Sequence, residues 1–252
     1  MKVKYPVHFA RFYDAIYHQV RDSVDIGYFL NEILACKGKV LEVGVGTGRL
    51  FKKALSGGAD IYGIDISESM LDVLYKKLPQ AQHSRISNQD IVDFSFDSEF
   101  DLIIAPFRVL MHLVDKADQI KAINNVCRHL NENGRFIFDV FVPDLNQLIK
   151  GLGNKMDFEG EYEQGRKVRR FVSTKPDLIN QIIEVIFHME WEEQGGLKHD
   201  DWQLPMRFYF RYELEHLLER SDFKSYKIFG DYSGSPLNKD SKEFVVVCKK
   251  GI

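Results

Sequence analysis

A glycine-rich turn between an apolar run and a helical pattern constrains the fold of this chain more than any other feature. Residues 40–50 read VLEVGVGTGRL, with glycines at 44, 46 and 48. Glycine is required where a chain turns sharply and where a ligand lies against bare backbone. In an open parallel sheet, ligands bind beyond the carboxyl ends of the strands. The turn is therefore predicted to bind a ligand at the end of the first strand.

A carboxylate ends the next predicted strand, residues 61–65. From this position Asp65 can accept hydrogen bonds from both ribose hydroxyls of an adenosine. In the dinucleotide fingerprint GxGxxG the third glycine would fall at Arg49, and the phosphate-binding lysine-plus-serine motif is absent. These residues predict a cofactor that contains adenosine. The alternative is a glycine-rich turn that binds no ligand.

Apolar runs alternate with helical patterns along most of the chain, which indicates a parallel sheet covered by helices on both faces. Strands are predicted at residues 39–43, 61–65, 82–86, 100–105, 135–142, 223–230 and 243–249. Helices are predicted at residues 7–21, 24–36, 49–55, 116–130 and 211–221, and one more begins after an N-cap at Ser67. A turn is predicted at residues 131–134. The segments 157–163, 166–174, 180–192 and 197–210 are β-rich and predict antiparallel hairpins, with turns at 164–165, 175–177 and 194–196.

The composition favours a globular protein in a reducing compartment. Hydrophobic residues make up 44% and charged residues 28% of the 252, and the net charge of −3 argues against a surface for long nucleic acid. No apolar run approaches the ~20 residues that span a bilayer, and the N-terminal residues do not resemble a signal peptide, so no membrane association is expected. Cys36, Cys127 and Cys248 are far apart and lack metal-ligand spacing. They predict reduced thiols, a cytoplasmic location and no metal site.

The order of short motifs resembles a known enzyme family. Glu42-x-Gly44-x-Gly46-x-Gly48 resembles motif I of the class I S-adenosylmethionine-dependent methyltransferases. Residues 63–71, 88–91, 100–103 and 130–138 resemble the second to fifth motifs in order. The resemblance implies an α/β Rossmann-like three-layer sandwich, with a seven-stranded mostly parallel sheet whose last strand is antiparallel. It further implies one methyltransferase domain over residues 1–252, with N-terminal lid helices at about 1–37 and an antiparallel β insert at about 155–210.

The same resemblance assigns S-adenosylmethionine as the cofactor and places its contacts on the carboxyl ends of the strands. The implied cofactor-binding residues are Tyr13, Tyr17, Glu42, Gly44, Gly46, Gly48, Asp65, Ile66, Met70, Asp90, Ile91 and Ala105. Gly44 and Gly46 would let the methionine part lie on the backbone, and Glu42 would orient the loop or the cofactor's ammonium group. Asp65 would bind the ribose.

The remaining roles concern the adenine and the sulfonium. Ile66 and Met70 would pack on the adenine, and Asp90 would accept from its exocyclic amine with Ile91 beside it. Met70 alternatively belongs to the helix core, and Asp90 alternatively caps a turn. Tyr13 and Tyr17 lie one helical turn apart and resemble a lid whose aromatic faces attract the sulfonium cation. The alternative for both is a packed aromatic stripe.

Fewer residues point to the methyl acceptor. The Asn/Asp-Pro-Pro-aromatic motif of DNA adenine and glutamine-amide methyltransferases is absent, because the chain has Ala105-Pro106-Phe107 there. Phe107, Arg108 and Tyr209 are the predicted substrate-binding residues, with Arg108 pairing either an acceptor anion or a neighbouring acid. His112 is the candidate base near the methyl group, or else a locally satisfied histidine at a helix start. The insert aromatics Trp191, Trp202, Phe208 and Phe210 either line the acceptor pocket or form ordinary core.

Together these features predict methyl transfer to a nitrogen or oxygen atom of a small molecule. The alternatives are an RNA or protein methyltransferase, a nucleotide-dependent oxidoreductase and a cofactor-binding protein without catalysis. The basic cluster at residues 166–170 is interpreted as an edge strand that discourages aggregation rather than as a nucleic-acid contact. No oligomeric state follows from the sequence.

Overall fold

The computed structural model describes residues 5–20 and 24–251. The predicted first helix is described as far as Val20, and parts of the predicted lid segment fall outside the described residues. The helices are α1 (Val7–Val20), α2 (Val24–Ala35), α3 (Phe51–Ser56), α4 (Glu68–Tyr75), α5 (Lys116–His129), α6 (Leu145–Lys150) and α7 (Arg211–Glu219). The strands are β1 (Val40–Val43), β2 (Ile61–Asp65), β3 (Ile86–Asn88), β4 (Phe100–Ala105), β5 (Leu130–Phe141), β6 (Leu152–Glu163), β7 (Arg166–Asp177), β8 (Ile182–Glu193), β9 (Gly196–Arg207), β10 (Ser225–Phe229) and β11 (Glu243–Lys249).

Seven strands form the main sheet in the order β10-β11-β5-β4-β1-β2-β3. The first five strands run parallel, and β11 is antiparallel to both β5 and β10. Successive residues of a strand face opposite sides, so the neighbours Leu102 and Ile103 enter different cores. Leu102 packs with residues of α2, α3 and α4, whereas Ile103 packs with residues of α5 and α7. The predicted three-layer sandwich with an antiparallel last strand is confirmed.

Several predicted boundaries were wrong. Residues 80–85 form a 3₁₀ helix, so the third strand begins at Ile86 rather than at 82. Residues 131–134 belong to β5, which pairs with β4 through an irregular register, rather than to a turn. Helix α6 was not predicted, although Asp144 caps it by accepting from the Gln147 amide at 3.0 Å. Ser67 is the N-cap of α4, but its side chain makes no capping hydrogen bond.

The insert forms a separate antiparallel sheet in the order β6-β7-β8-β9. Its second turn lies at residues 178–181, because the predicted turn at 175–177 continues β7 in register with β8. The interpretation of residues 166–170 as an edge strand was wrong, since β7 lies between β6 and β8. Arg166, Arg169 and Arg170 instead pair with carboxylates of the same sheet.

Helix α1 fills the space between the insert and the main domain. Phe9, Phe12 and Ile16 are fully buried and pack in one cluster with Phe187 and Trp191 of the insert. This face of α1 therefore packs on the insert, and Tyr13 of the same helix lies against Phe107, which follows β4. None of the described helices is both long and apolar enough to cross a bilayer.

Candidate functional site

The glycine-rich turn leaves β1 with backbone angles that favour glycine. Gly44 and Gly46 have φ of 73° and 54°, in the left-handed region. A Cβ atom on Gly44 would lie 2.4 Å from Cγ2 of Val109. The Gly44 amide donates to the Ile64 carbonyl at 2.8 Å, which ties the turn to the end of β2. The turn is therefore held in place with bare backbone on its open side.

Asp65 ends β2 directly beside this turn. Its carboxylate accepts hydrogen bonds from the amides of Gly46 and Ser67, both at 2.8 Å. Burial raises the pKa of Asp65 from 3.8 to about 6, and the amide hydrogen bonds partly offset this rise. Each carboxylate oxygen has further lone pairs, so the group can still accept from a ligand's hydroxyls.

A first cavity of about 390 Å³ opens over the turn and Asp65. Its size and mixed lining are those of a small-ligand site. Predicted residues that the structure brings together around it are Tyr13, Gly44, Gly46, Asp65, Ile66, Met70, Asp90, Ile91, Phe107 and His112. The sequence motifs therefore converge on one cavity at the carboxyl edge of the parallel strands.

At Met70 and Asp90, the structure is compatible both with the alternative interpretation and with the predicted role in the site. Met70 lines the first cavity and is also packed in the cluster around α1. Asp90 lines the cavity and also caps a turn, because its Oδ1 accepts from the Val92 amide at 3.0 Å. The core and turn interpretations thus do not compete with ligand contact at these positions.

A second, smaller cavity borders the same turn, and its charged lining residues are Asp25, Glu42 and Arg49. Glu42 is buried there, and among the described residues none hydrogen-bonds its Oε2 atom. Burial raises the pKa of Glu42 from 4.5 to about 8, although Arg49 opposes the rise. Arg49 pairs with Asp25 at 2.8 Å and its guanidinium lies 4.6 Å from the ring centre of Phe107. This cavity therefore combines a buried carboxyl group with a guanidinium that is already paired with Asp25.

Five predicted site residues, Arg108 among them, do not line the first or second cavity. A Cβ on Gly48 would lie 2.3 Å from Cδ1 of Leu74, so this glycine allows the loop to pack on α4. Ala105 and Tyr209 are buried in the core beneath the sheet. The structure thus gives no support to Tyr209 as a substrate residue, since it borders none of the three cavities. Tyr17 contacts Tyr13 with ring centres 4.4 Å apart but lines a third cavity.

The third cavity, of about 520 Å³, lies between α1 and the insert. Tyr5, Phe107 and His112 line both the first and the third cavity, so these three side chains form a shared wall. Arg108 lines the third cavity and pairs with Glu243 at 2.7 Å, which agrees with the alternative of a neighbouring acid. Two ligands, one in each cavity, would meet at the shared wall.

His112 is the titratable group of that wall. It ends the 3₁₀ helix Val109–His112, and within the described chain its buried Nδ1 has no hydrogen-bond partner. It is therefore not satisfied locally through that atom. Burial lowers the pKa of His112 from 6.5 to about 4, so the imidazole is neutral near pH 7. The Tyr5 ring meets it edge-on with centres 6.4 Å apart.

Sequence reasoning did not identify Tyr5, Asp157 or Arg170 as lining residues. Tyr5 precedes the helical pattern, and the other two look like alternating charges of a solvated strand. No group of three or more possible metal ligands occurs in residues 5–20 and 24–251.

Comparison with known proteins matches the segment that carries the glycine-rich turn and Asp65, and it finds solved structures with the same fold. Residues 40–134 match a family model described as a methyltransferase domain. A Bacillus subtilis protein named as a methyltransferase, YqeM, is 32% identical over 105 residues, which are 41% of this chain and 42% of that protein. The match therefore spans under half of this curated relative.

Two solved structures cover nearly the whole chain. A methyltransferase from Clostridium acetobutylicum, described as S-adenosylmethionine-dependent, is 21% identical with a TM-score of 0.75, over 97% of this chain and 98% of its own. CalS10 of Micromonospora echinaspora, described as a SAM-bound amino pentose methyltransferase, is 17% identical with a TM-score of 0.70, over 99% of both chains. The predicted class I methyltransferase fold and the motif resemblance are confirmed.

Proposed function

We propose that this chain transfers a methyl group from S-adenosylmethionine to a nitrogen or oxygen atom of a small molecule. The observation that carries the proposal is the wall of Tyr5, Phe107 and His112 between two cavities. The first cavity contains the Asp65 carboxylate, which is placed to bind a ribose, beside the bare backbone of the glycine-rich turn. The third cavity has room for an acceptor. Similarity in fold to an amino pentose methyltransferase supports a small acceptor.

The residues present fit the cofactor on observations of this structure. Gly44 and Gly46 leave bare backbone, and Asp65 stands beside them with lone pairs available for the ribose hydroxyls. The unpartnered Oε2 of buried Glu42 suits the α-ammonium group, because a cation would stabilise its charged form. The aromatic ring of Tyr13 lines the same cavity, and an aromatic face attracts a sulfonium cation.

When bound, S-adenosylmethionine supplies an already activated methyl group on a positively charged sulfur. The protein's remaining task is to place an acceptor lone pair in line with that group and to exclude water. Burial among Tyr5, Phe107 and the residues of α1 removes water from the wall. We assign to His112 the task of accepting a hydrogen bond from the acceptor through its free Nδ1.

This assignment favours nitrogen over oxygen as the acceptor atom. With a pKa of about 4, the His112 imidazole is a weak base and is poorly matched to an alcohol. It can nevertheless accept a hydrogen bond from a neutral amine and orient the lone pair. A desolvated wall also favours the uncharged form of an amine, which is the nucleophilic form.

Thermal denaturation with added ligands tests the cofactor half of the proposal. S-adenosylmethionine and S-adenosylhomocysteine are expected to raise the melting temperature by mass action, whereas NAD and ATP leave it unchanged. Methyl transfer is then measured with a labelled donor across amino sugars, other amines, hydroxy acids, RNA and protein. Label in RNA or protein only would replace the small-molecule proposal, and ligand binding with no transfer to any class would indicate a non-catalytic protein. The free thiols Cys36, Cys127 and Cys248 support a reducing, cytoplasmic location for this activity.

A further inference from the structure

The third cavity is lined by an ion pair between a buried arginine and a partly buried aspartate, which the proposed chemistry does not use. Arg170 is 2% exposed, and its Nε and Nη2 atoms donate to the two oxygens of Asp157 at 3.0 and 2.8 Å. The guanidinium carbon lies 4.9 Å from the ring centre of Tyr17 and 4.8 Å from that of Phe187. Two carboxylate contacts and two aromatic rings therefore fix the plane of this guanidinium.

These contacts leave the Nη1 edge of the guanidinium without a partner in good hydrogen-bond geometry. Nη1 of Arg170 is buried and has no hydrogen-bond partner among the described residues, although the Tyr17 hydroxyl interacts with the same guanidinium. Buried polar atoms are almost always paired, and an unpaired N–H lowers stability. A well-packed apolar pair would fill the same space without this cost. The arrangement is explained if the missing partner is a ligand.

The surroundings of Nη1 indicate what that ligand offers. The insert wall near it is apolar, with Val185, Phe187 and Leu204 lining the same cavity. A few polar groups on an apolar wall set a ligand's orientation. Because Asp157 already neutralises the guanidinium, an uncharged oxygen suits Nη1 better than an anion. Arg108 repeats the pattern, because it pairs with Glu243 while its buried Nε has no partner among the described residues.

We propose that Arg170 is a specificity-determining residue whose Nη1 binds a hydroxyl oxygen of the acceptor, with Asp157 as the residue that positions it. The inference rests on the proposed function and deepens it, since it assigns a hydroxylated amine as the acceptor class. The nitrogen lies at the wall with His112, and a hydroxyl group on the same molecule reaches Arg170.

The test compares two amines that differ in their hydroxyl groups, with S-adenosylhomocysteine present. At the same concentration, glucosamine is expected to raise the melting temperature of the unaltered protein more than cyclohexylamine does, because the ligand with the lower Kd stabilises the folded state more. Arg170→Met retains a long apolar side chain and is expected to lower the apparent affinity for glucosamine about tenfold, which removes the preference. Glucosamine 6-phosphate serves as the anionic probe.

Arg169→Met is the matched control. Arg169 is the preceding residue of β7, its side chain is 42% exposed, and it pairs with Glu190 without lining the cavity. This variant is expected to keep the preference for glucosamine. If Arg170→Met unfolds, the double variant Arg170→Met/Asp157→Leu removes both charges and takes its place.

The outcomes separate the two proposals. A protein that S-adenosylhomocysteine fails to stabilise contradicts the proposed function itself. Stabilisation by S-adenosylhomocysteine without a preference for glucosamine, or a preference that survives Arg170→Met, overturns the role of Arg170 alone. Stronger binding of the phosphate probe that depends on Arg170 replaces the hydroxyl with an oxyanion and so refutes the assigned ligand.

Discussion

Replacing Glu42 by glutamine should change how the stability of the ligand-free protein depends on pH. Burial raises the pKa of Glu42 from 4.5 in its ordinary state to about 8 in the folded protein. Between these values the folded state binds more protons than the unfolded state, so stability falls as pH rises. From the two pKa values, the loss between pH 5 and pH 7.5 is about 3 kcal/mol. Glutamine does not titrate and removes this loss.

The assay is urea unfolding at pH 5 and pH 7.5 of the unaltered protein, of Glu42→Gln and of the exposed control Glu159→Gln. A buried amide adds its own cost, but that cost is the same at both pH values. The difference in unfolding free energy between Glu42→Gln and the unaltered protein should therefore rise by about 3 kcal/mol from pH 5 to pH 7.5. The raised pKa of Asp65 contributes to both proteins, which differ only in the coulombic interaction between Asp65 and Glu42. A rise no larger than that of the control would refute the buried, unpaired state of Glu42.

Three further changes test the turn, the ribose contact and the wall. Gly44→Ala combines a positive φ with a 2.4 Å approach to Val109, so it should lower the free energy of unfolding in urea by ~2–5 kcal/mol. The control Gly58→Ala, at a φ of 86° in open surroundings, should lower it by only ~1–2 kcal/mol. Equal losses would contradict the packing of the turn. Asp65→Ala should weaken S-adenosylhomocysteine binding at least ~10-fold by calorimetry at pH 7.5, and the unaltered protein should lose affinity as pH falls below about 6 while the variant does not; full affinity in the variant would remove the ribose assignment. His112→Phe should keep cofactor affinity and reduce the transfer rate ~10-fold or more, because the acceptor loses a hydrogen bond; an unchanged rate would exclude a role in transfer.

The cofactor side of the site was predictable because its determinants are local in sequence. Gly44 and Gly46 follow a strand directly, and Asp65 ends the next parallel strand, so adjacency in the sheet brings them together. Topology alone then places them at one edge. Most strands of the main sheet were predictable from their own apolar patterns, whereas the short third strand was placed too early and the order of seven strands rested on the family resemblance.

The proposed acceptor side was less predictable because it depends on packing between distant elements. Arg170 and Asp157 look like surface charges of two strands, and the packing of α1 against the insert buries Arg170 and partly buries Asp157. Tyr209 has the aromatic character of a pocket residue, yet its position before α7 places it in the main core. Periodicity distinguishes two faces of a strand, but it does not tell which face meets a cavity.

The backbone at Phe107 shows how these distant elements define the site. Phe107 and Arg108 are consecutive non-glycine residues with φ of 63° and 66°, a conformation that costs about 1–2 kcal/mol for each. The Arg108 amide donates to Asp139 on β5 at 3.3 Å, Asp139 also accepts from Tyr232 at 2.9 Å, and the Arg108 side chain pairs with Glu243 on β11. These contacts hold the strained pair in place. Glycine would relieve the strain but would remove the ring that lines all three cavities. The strain is therefore accounted for by the position of that ring, between the cavities that we propose for the cofactor and the acceptor.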